Sequence, residues 1–119
     1  MKMSLDPDRL ARSRTIDLTT TGRRSGLPRT VEIWWFRVDG RFVITGTPGQ
    51  RDWLANVGAN PNVIIAVDGM LIEATVTPIT DQAFRRRVFT HPETRWYSTQ
   101  EELERLVATS PMVEVALPV

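Results

Sequence analysis

The sequence predicts an antiparallel β-barrel, closed or nearly closed, with six strands and helices that cover part of it. Two Asp-Gly pairs each separate two runs of β-branched and aromatic residues, which is the strongest short-range signal for a β-hairpin. The alternation of strands and helices that builds parallel sheets is absent from the pattern. Because so short a sheet would expose vulnerable edges, closure on itself is the favoured arrangement.

The first half of the chain is predicted to form one short helix and three strands. A helix is expected over Ser4–Arg12, because a proline and two aspartates fall in its first turn. Thr15–Thr21 is rich in β-branched residues and stops at a glycine, and the extended pattern resumes over Arg29–Val38, so the two should pair as a hairpin. Asp39-Gly40 then joins the second strand to a third over Arg41–Thr45.

The middle of the chain is predicted to contain a helix and a second tight hairpin. Asp52 is positioned to cap a helix that ends near Asn60, because an asparagine-proline pair follows it. Asn62–Val67 and Met70–Val76 flank Asp68-Gly69, the second of the two hairpin signals.

Two further helices and a last strand complete the predicted element order. One helix is expected to begin at Thr80, and another at Thr99 with capping-box spacing, ending before Pro111. Met112–Leu117 alternates in the manner of a half-buried strand.

Composition narrows the classes of protein to which the chain can belong. Its 119 residues are 41% apolar and 24% charged, which fits one globular domain over residues 1–119. The longest apolar runs hold only four or five residues, whereas about 20 are needed to span a bilayer. The N-terminus has no signal-peptide pattern, so we expect a cytoplasmic location and no membrane partner. With no cysteine and a single histidine, a disulfide scaffold, a thiolate nucleophile and a familiar metal site are all excluded.

The basic residues are almost all arginine. The net charge is +1, and 14 of the 15 basic residues are arginine, a side chain that binds planar anions through two parallel hydrogen bonds. A nucleic-acid-binding protein normally carries a larger positive excess, so no nucleic-acid partner is expected. A small ligand with a few anionic groups fits the composition better.

The loop between the first two strands has the composition of an anion-binding turn. Gly22 and Gly26 bracket Arg23, Arg24 and Ser25 at the tip of the hairpin. Glycines let backbone amides turn inward, the serine can donate, and the arginines can hold phosphate or carboxylate oxygens. The spacing alone is equally consistent with an exposed polar turn whose arginines are solvated.

Three segments resemble one known family. Thr19–Arg29 matches the Thr-Thr-Thr-Gly-Arg-[Lys/Arg]-[Ser/Thr]-Gly-x-Pro-Arg segment of the deazaflavin-dependent nitroreductase and quinone reductase family. Asp52–Pro61 is similar to the family's Trp-x-x-Asn-x-x-Ala-Asn-Pro helix, and Thr45–Gln50 occupies the place of its glycine-bearing ring-binding loop. The resemblance covers roughly Thr15 to Leu117.

The resemblance implies a six-stranded antiparallel split barrel like that of the pyridoxamine-phosphate-oxidase-like flavin proteins. It implies an oxidoreductase that transfers a hydride from reduced coenzyme F-420 to a small quinone, nitro or enone acceptor. By position, the cofactor's phosphate and acidic tail would be held by Arg23, Arg24, Ser25, Gly26 and Arg29. The ring would lie along Thr45, Gly46, Thr47, Pro48, Gly49 and Gln50, with Trp53 and Asn56 as its support. Hydride transfer depends on orientation and on exclusion of water, so no catalytic acid or base is expected.

Two alternative functions remain open at this level. One is an oxidoreductase that binds FMN in the same groove, and the other is a non-catalytic carrier of a flavin, a tetrapyrrole or a lipid. An arginine-rich loop favours a cofactor with more acidic groups than FMN, which places F-420 first.

The stretch between the last two predicted helices is aromatic. Trp96 and Tyr97 are expected to cap the ring site and to meet the substrate, the alternative being that they pack the C-terminal helix onto the barrel. Tyr97 is the only tyrosine, whereas some relatives place several tyrosines at the substrate. His91, the only histidine, is not expected to be catalytic, because the chain offers it no partner for a triad.

Four further features give expectations about packing and assembly. Trp34 and Trp35 should point to opposite faces of their strand. Glu32 shares a face with Trp34, which suggests either a carboxylate near the ligand groove or a dimer contact. Arg85–Arg87 is interpreted as a solvated helix face. A homodimer is expected, because four tryptophans exceed what one small core needs.

Overall fold

The computed structural model describes residues 5–118 and contains six β-strands. They are β1 Thr15–Thr21, β2 Pro28–Val38, β3 Arg41–Thr45, β4 Asn62–Val67, β5 Met70–Pro78 and β6 Met112–Ala116. All neighbouring strands pair antiparallel, and they close into a barrel in the order β1-β2-β3-β6-β5-β4. The predicted fold class is confirmed, and the observed strand ends differ from the predicted ends by at most two residues.

The two Asp-Gly hairpins form as predicted. Asp39 and Gly40 have φ values of 52° and 77°, and Asp68 and Gly69 have φ values of 52° and 75°. Two consecutive positive φ angles define the turn type whose twist matches that of the flanking strands.

The helices begin at different residues from those predicted. They are α1 Pro7–Ala11, α2 Asp52–Ala59, α3 Gln82–Thr90, a 3-10 turn Pro92–Thr94, α4 Arg95–Ser98 and α5 Leu103–Thr109. The predicted start of the first helix, Ser4, lies outside the described residues. Arg51 rather than Asp52 is the N-cap of α2, and Asp81 rather than Thr80 caps α3 by accepting from the Ala83 N–H at 3.0 Å.

The prediction that the last helix starts at Thr99 is wrong. The hydroxyl of Thr99 donates to the Trp96 carbonyl at 2.6 Å, and its backbone N–H donates to the same carbonyl at 3.0 Å. Thr99 therefore closes α4, and α5 begins only at Leu103.

The core has two parts, separated by strands β2, β3 and β6. Trp35 and Ile44 belong to the cluster inside the barrel. Phe36 and Val43 point the other way and pack with Phe84 and other residues of α3 and α5. The predicted opposition of Trp34 and Trp35 is confirmed, because Trp35 is 1% exposed and Trp34 is 37% exposed.

Arg85 corrects the prediction that Arg85–Arg87 forms a solvated face. Its guanidinium is buried and donates to the carbonyls of Val107 at 2.6 Å, Ile79 at 2.8 Å and Ser110 at 2.5 Å. Carbonyls at the end of a helix lack partners within it, so an inward-turned arginine on α3 can satisfy those of Val107, in the last turn of α5, and Ser110, its C-cap. Burial lowers the pKa of Arg85. Arg86 and Arg87 are exposed as predicted and pair with carboxylates.

The outer face of β1, β4 and β5 keeps large apolar side chains exposed. Asp17, Ala66 and Leu71 are paired across these three strands and share that face, as do Thr19, Ile64 and Glu73. Leu71 is 79% exposed and Ile64 is 41% exposed. Within residues 5–118, no helix is long and apolar enough to cross a bilayer, and a cytoplasmic location stays a prediction.

Candidate functional site

The loop between β1 and β2 is a tight turn that depends on two glycines. The Gly22 N–H donates to the Leu27 carbonyl at 2.8 Å, and the Gly26 N–H donates to the Gly22 carbonyl at 2.8 Å. Gly26 has a φ of 72°, in the left-handed region that favours glycine. A Cβ atom on Gly22 would lie 2.6 Å from Ser25 Oγ, so a larger residue there would displace that serine. The turn therefore presents residues 23–25 at its tip.

Asn56 on helix α2 holds this loop in place. Its buried side-chain oxygen accepts from the Arg23 backbone N–H at 3.1 Å and from Arg23 Nη1 at 2.9 Å. Its Nδ2 donates to Thr20 Oγ1 at 3.1 Å. Arg23 Nη2 also lies 3.4 Å from Asp52 Oδ1. Arg23 and Asn56 thus join the loop to the helix, and the charge of Arg23 already has a carboxylate partner.

A cleft of about 650 Å³ opens between the loop, β2 and α2, and we call it the anion cleft. Its lining residues are Thr20, Gly22, Arg23, Arg24, Ser25, Pro28, Arg29, Thr30, Val31, Asp52, Trp53 and Asn56. Arg24 and Arg29 are exposed, and neither has a carboxylate within 4.0 Å in the part of the chain that the structure describes. Over the same residues, the backbone N–H groups of Arg24 and Ser25 have no acceptor. This donor set suits phosphate or carboxylate groups.

A second cleft of about 300 Å³ lies next to the first, and we call it the aromatic cleft. Its lining residues are Glu32, Ile33, Trp34, Thr45, Gly46, Thr47, Arg51, Trp53, Trp96 and Tyr97. The Trp34 ring meets Trp96 and Tyr97 edge-on, with centroid distances of 5.6 Å and 6.3 Å. Trp53 lines both clefts, which are therefore adjacent, and we call the two together the groove, with a basic end and an aromatic end.

The loop after β3 contributes only its first half to this groove. Gly46 and Thr47 line the aromatic cleft, whereas Pro48, Gly49 and Gln50 line neither cleft. Thr45 lines the cleft, but its hydroxyl donates to the Pro111 carbonyl at 2.6 Å. Arg51, which the sequence pattern does not single out, directly follows this loop and lines the aromatic cleft. The available signal was a cation placed next to a glycine-bearing loop.

Trp96 and Tyr97 both line the aromatic cleft, and Tyr97 also packs in the second core. Tyr97 is buried against Phe36 and Phe89, each with a centroid distance of 5.9 Å, and it also lines the aromatic cleft. Burial raises the pKa of Tyr97 to about 12, although the nearby charges of Arg14 and Arg51 oppose the shift. Trp96 is 50% exposed at the mouth of the cleft. The pair thus offers a neutral phenol and an accessible indole face.

His91 and Glu32 occupy different places relative to the groove. His91 lines neither cleft, and its Nδ1 accepts from the Glu93 N–H at 3.1 Å, so it caps the 3-10 turn. Glu32 lines the aromatic cleft and faces Asp17 across the β1–β2 pair. Among residues 5–118, Glu32 has no basic partner within 4.0 Å. Of the two interpretations from the sequence, its position agrees with a carboxylate at the groove.

The groove fits a ligand that is acidic at one end and planar at the other. The unpaired Arg24 and Arg29 supply charge at the basic end, and Trp34, Trp53 and Trp96 supply flat apolar contact at the other. A flavin-like cofactor with a phosphate and an acidic tail has both features, so the residues present agree with a deazaflavin.

Comparison with known proteins places the chain in a family. The family model described as F420H(2)-dependent quinone reductase matches residues 7–115. A solved F420-H2-dependent reductase, FDR-A, is 22% identical with a TM-score of 0.62, over 86% of this chain and 93% of that chain. A putative pyridoxamine 5'-phosphate oxidase from Listeria innocua is 10% identical with a TM-score of 0.68, over 95% and 94%. The heme storage protein HutZ from Vibrio cholerae is 15% identical with a TM-score of 0.67, over 98% and 92%.

These likenesses support two conclusions of different scope. At such low identity the solved structures show only that the split-barrel fold is shared. Because one fold hosts many functions, they do not show the activity. The family model covers nearly the whole described chain and identifies the cofactor as well. The chain belongs to the F420H(2)-dependent quinone reductase family and is an oxidoreductase that uses the deazaflavin F-420.

Proposed function

We propose that this chain transfers a hydride from reduced F-420 to a small organic acceptor of the quinone, nitro or enone type. The observation that supports this function best is that the anion cleft and the aromatic cleft are adjacent, with Trp53 lining both. A donor set for acidic groups and a slot for planar rings thus lie side by side.

In this proposal the anion cleft holds the phosphate and acidic tail of the cofactor. Arg24 and Arg29 provide side-chain donors, and the free N–H groups of Arg24 and Ser25 provide backbone donors. Arg23 holds the loop against α2 and does not itself bind the cofactor, because its guanidinium is bound to Asn56 and Asp52. Gly46, Thr47 and Trp53 would then border the ring in the aromatic cleft.

The acceptor is placed by Trp96 and Tyr97. A half-exposed indole at the mouth of the cleft offers a flat apolar surface, as expected of a contact for a planar acceptor. When bound, F-420 supplies the hydride chemistry, and the chain orients the reactants and excludes water.

The direct test is single-turnover oxidation of reduced F-420 bound to the purified chain. Benzoquinone, nitrobenzene and cyclohexenone would be mixed with the complex in separate stopped-flow experiments. We expect at least one acceptor class to oxidise the bound cofactor much faster than free reduced F-420. Equal rates for bound and free cofactor with all three classes would refute the proposed reaction.

A binding comparison tests the cofactor alternatives in the same preparation. Three tryptophans line the groove, so quenching of their fluorescence reports occupancy. We expect F-420 to bind more tightly than FMN or haem, because its additional acidic groups can meet Arg24 and Arg29. Tighter binding of FMN or haem would support the alternative functions instead.

We also infer that two copies of the chain associate through the outer face of β1, β4 and β5. The tryptophan surplus that suggested a dimer does not support it, because Trp34, Trp53 and Trp96 line the groove and Trp35 lies in the core. The support comes from Leu71 and Ile64, which stay exposed on that face. Large exposed apolar side chains are typical of an interaction surface when they lie together.

A further inference from the structure

Arg51 is the cation of the aromatic cleft within the described residues. Its Nη2 donates to the Thr47 carbonyl at 2.9 Å and to Thr47 Oγ1 at 3.2 Å, and its Nη1 donates to the Gln50 carbonyl at 3.2 Å. A Cβ atom on Gly46 would lie 3.5 Å from Nη2 and 3.9 Å from Nε. The guanidinium is therefore held against the loop that borders the cleft.

The charge of Arg51 has no counter-ion in the region the structure describes, residues 5–118. No carboxylate there lies within 4.0 Å of it, because the neighbouring Asp52 pairs with Arg23 and Glu32 makes no ion pair. A guanidinium carries five N–H donors, and three of its hydrogen bonds go to Thr47 and Gln50. The Nε–H and one Nη1 N–H are left without an acceptor among these residues. Nη1 lies against Gly49 and Gln50, outside the cleft, whereas Nε lies beside Gly46, which lines it. The Nε–H can therefore bind a ligand oxygen while the contacts to the loop are kept.

Reduction of the proposed acceptor creates a negative charge in this cleft, a step that rests on the proposed function. When a hydride adds to a conjugated carbonyl, the π electron pair moves onto the oxygen, which becomes an oxyanion and then takes a proton from water. The acceptor gains two electrons, and the bound deazaflavin that supplies the hydride loses two. Donors that face such an oxygen lower the barrier most when they are fixed in place before the reaction.

The other polar groups of the cleft are less suited to this task. The Thr45 hydroxyl is engaged with the Pro111 carbonyl. The indole N–H groups and the Tyr97 hydroxyl are neutral donors, and burial raises the pKa of Tyr97 to about 12. Glu32 carries a negative charge that would repel an oxyanion. Among the described residues that line this cleft, Arg51 alone combines a full positive charge with a free donor.

We propose that Arg51 is a catalytic residue that binds the acceptor oxygen and stabilises the negative charge it gains on reduction. The hydrogen bonds to Thr47 and Gln50 fix the guanidinium in advance, so little reorganisation is needed when the charge appears.

The test uses an unreactive oxyanion and two substitutions of different charge. The chain loaded with oxidised F-420 is titrated with 4-nitrophenolate, whose absorption spectrum reports binding. We expect Arg51→Gln to weaken 4-nitrophenolate binding about 10-fold or more and to lower kcat with benzoquinone about 10²-fold. Arg51→Lys, which keeps the charge, should retain most of the 4-nitrophenolate affinity and most of kcat. Arg12→Gln is the matched control, because Arg12 is exposed and lines neither cleft.

The affinity for F-420 separates the proposed catalytic role of Arg51 from a role in supporting the loop or the cofactor. We expect it to stay within about 3-fold in both Arg51 variants, because the acidic tail lies at the other end of the groove. Unchanged 4-nitrophenolate binding in Arg51→Gln would overturn the proposal. Equal losses in Arg51→Gln and Arg51→Lys, or a large loss of F-420 affinity, would also overturn it and leave Arg51 a support of the loop or the cofactor.

A measurement on the unsubstituted chain covers the case in which Arg51→Gln does not fold. The proposal requires the loaded chain to bind 4-nitrophenolate more tightly than neutral 4-nitrophenol, and a preference for the neutral phenol would refute it. If the unsubstituted chain binds the phenolate but reduces no acceptor, the proposed function fails while the oxyanion site stands.

Discussion

Arginines of this chain do different things according to the partners that each one meets. Arg23 is bound to Asn56 and Asp52, and Arg85 is buried among three carbonyls. Arg24 and Arg29 face the anion cleft without a carboxylate in the described part of the chain. An arginine already paired in the protein must break or share that pair before it can bind a ligand. Arg24 and Arg29 are therefore better placed than Arg23 to bind an anionic ligand.

We predict that Arg24→Ala and Arg29→Ala each weaken F-420 binding by about 1.5 to 3 kcal/mol, the usual range for hydrogen bonds to charged groups. Fluorescence titration of the purified variants measures this effect. Arg12→Ala serves as the control and should bind F-420 like the parent. Parent-like binding in both cleft variants would show that the tail lies elsewhere.

Tyr97 predicts how stability depends on alkaline pH. Its folded-state pKa of about 12 lies above the ordinary value of 10.0, so the folded chain disfavours the phenolate. The stability from the neutral phenol is fully present below about pH 10 and is lost as the pH rises toward 12. Tyr97→Phe should remove about 2 kcal/mol of that pH dependence between pH 9 and pH 11.5. Urea unfolding of the parent and of Tyr97→Phe at pH 9 and pH 11.5 measures this difference. If both proteins lose the same free energy of unfolding between the two pH values, Tyr97 is not the group responsible.

At the scale of elements, the groove depends on how α2 meets the β1–β2 hairpin. Asn56 makes three hydrogen bonds across this junction, to two donors of Arg23 and to Thr20. Because the amide is buried, its removal leaves these groups without a partner and with little access to water.

Asn56→Ala should therefore lower the free energy of unfolding by about 1 to 3 kcal/mol and also weaken F-420 binding. Asn56→Asp keeps the oxygen that accepts from Arg23, so it should bind F-420 more tightly than the alanine variant. Urea unfolding and cofactor titration of both variants provide the measurements. Equal cofactor affinity in the two variants would mean that the Arg23 contact does not shape the cleft.

The loop after β3 and the loop that contains His91 give opposite expectations. A Cβ atom on Gly46 makes only ordinary contacts, at 3.5 Å to Arg51 Nη2 and 3.8 Å to Pro111 Cγ, so Gly46→Val should fold. Its methyl groups would then occupy space at the cleft, and hydride transfer to a quinone should be lost.

The rate of hydride transfer in His91→Ala should stay within a few-fold of the parent rate, well short of the roughly 10²-fold loss expected for a general acid or base. Stopped-flow oxidation of bound reduced F-420 tests both variants, and an inactive His91 variant with normal cofactor affinity would place the chemistry near the 3-10 turn.

At the scale of the whole molecule, barrel closure leaves the two halves of the sheet with different outer surfaces. The outer face of β2, β3 and β6 is packed against α3 and α5 by a second core. The outer face of β1, β4 and β5 exposes Leu71 and Ile64 beside Asp17 and Glu73. The proposed association buries this second face.

Leu71→Glu is therefore expected to convert a dimer to a monomer, because it places a charge in the middle of the proposed contact. Ala108→Glu is the matched control, since Ala108 is exposed on α5. Sedimentation at micromolar concentration measures the mass of each protein. If the unsubstituted chain sediments only as a 13.5 kDa species, the dimer is wrong.

The strands, the two Asp-Gly turns and the composition of the anion-binding loop were determined by the sequence itself. Each depends on neighbouring residues, through alternation with a period of two or through a positive φ within one turn. The tertiary structure decided which arginines are free. Arg23 is bound to Asn56, 33 residues away, and Arg85 to Ser110, 25 residues away. Arg51 shares the aromatic cleft with Trp96 and Tyr97, which lie more than 40 residues further along the chain. Partners so distant along the chain leave no periodic signal in it, so charge pairing and burial follow from packing.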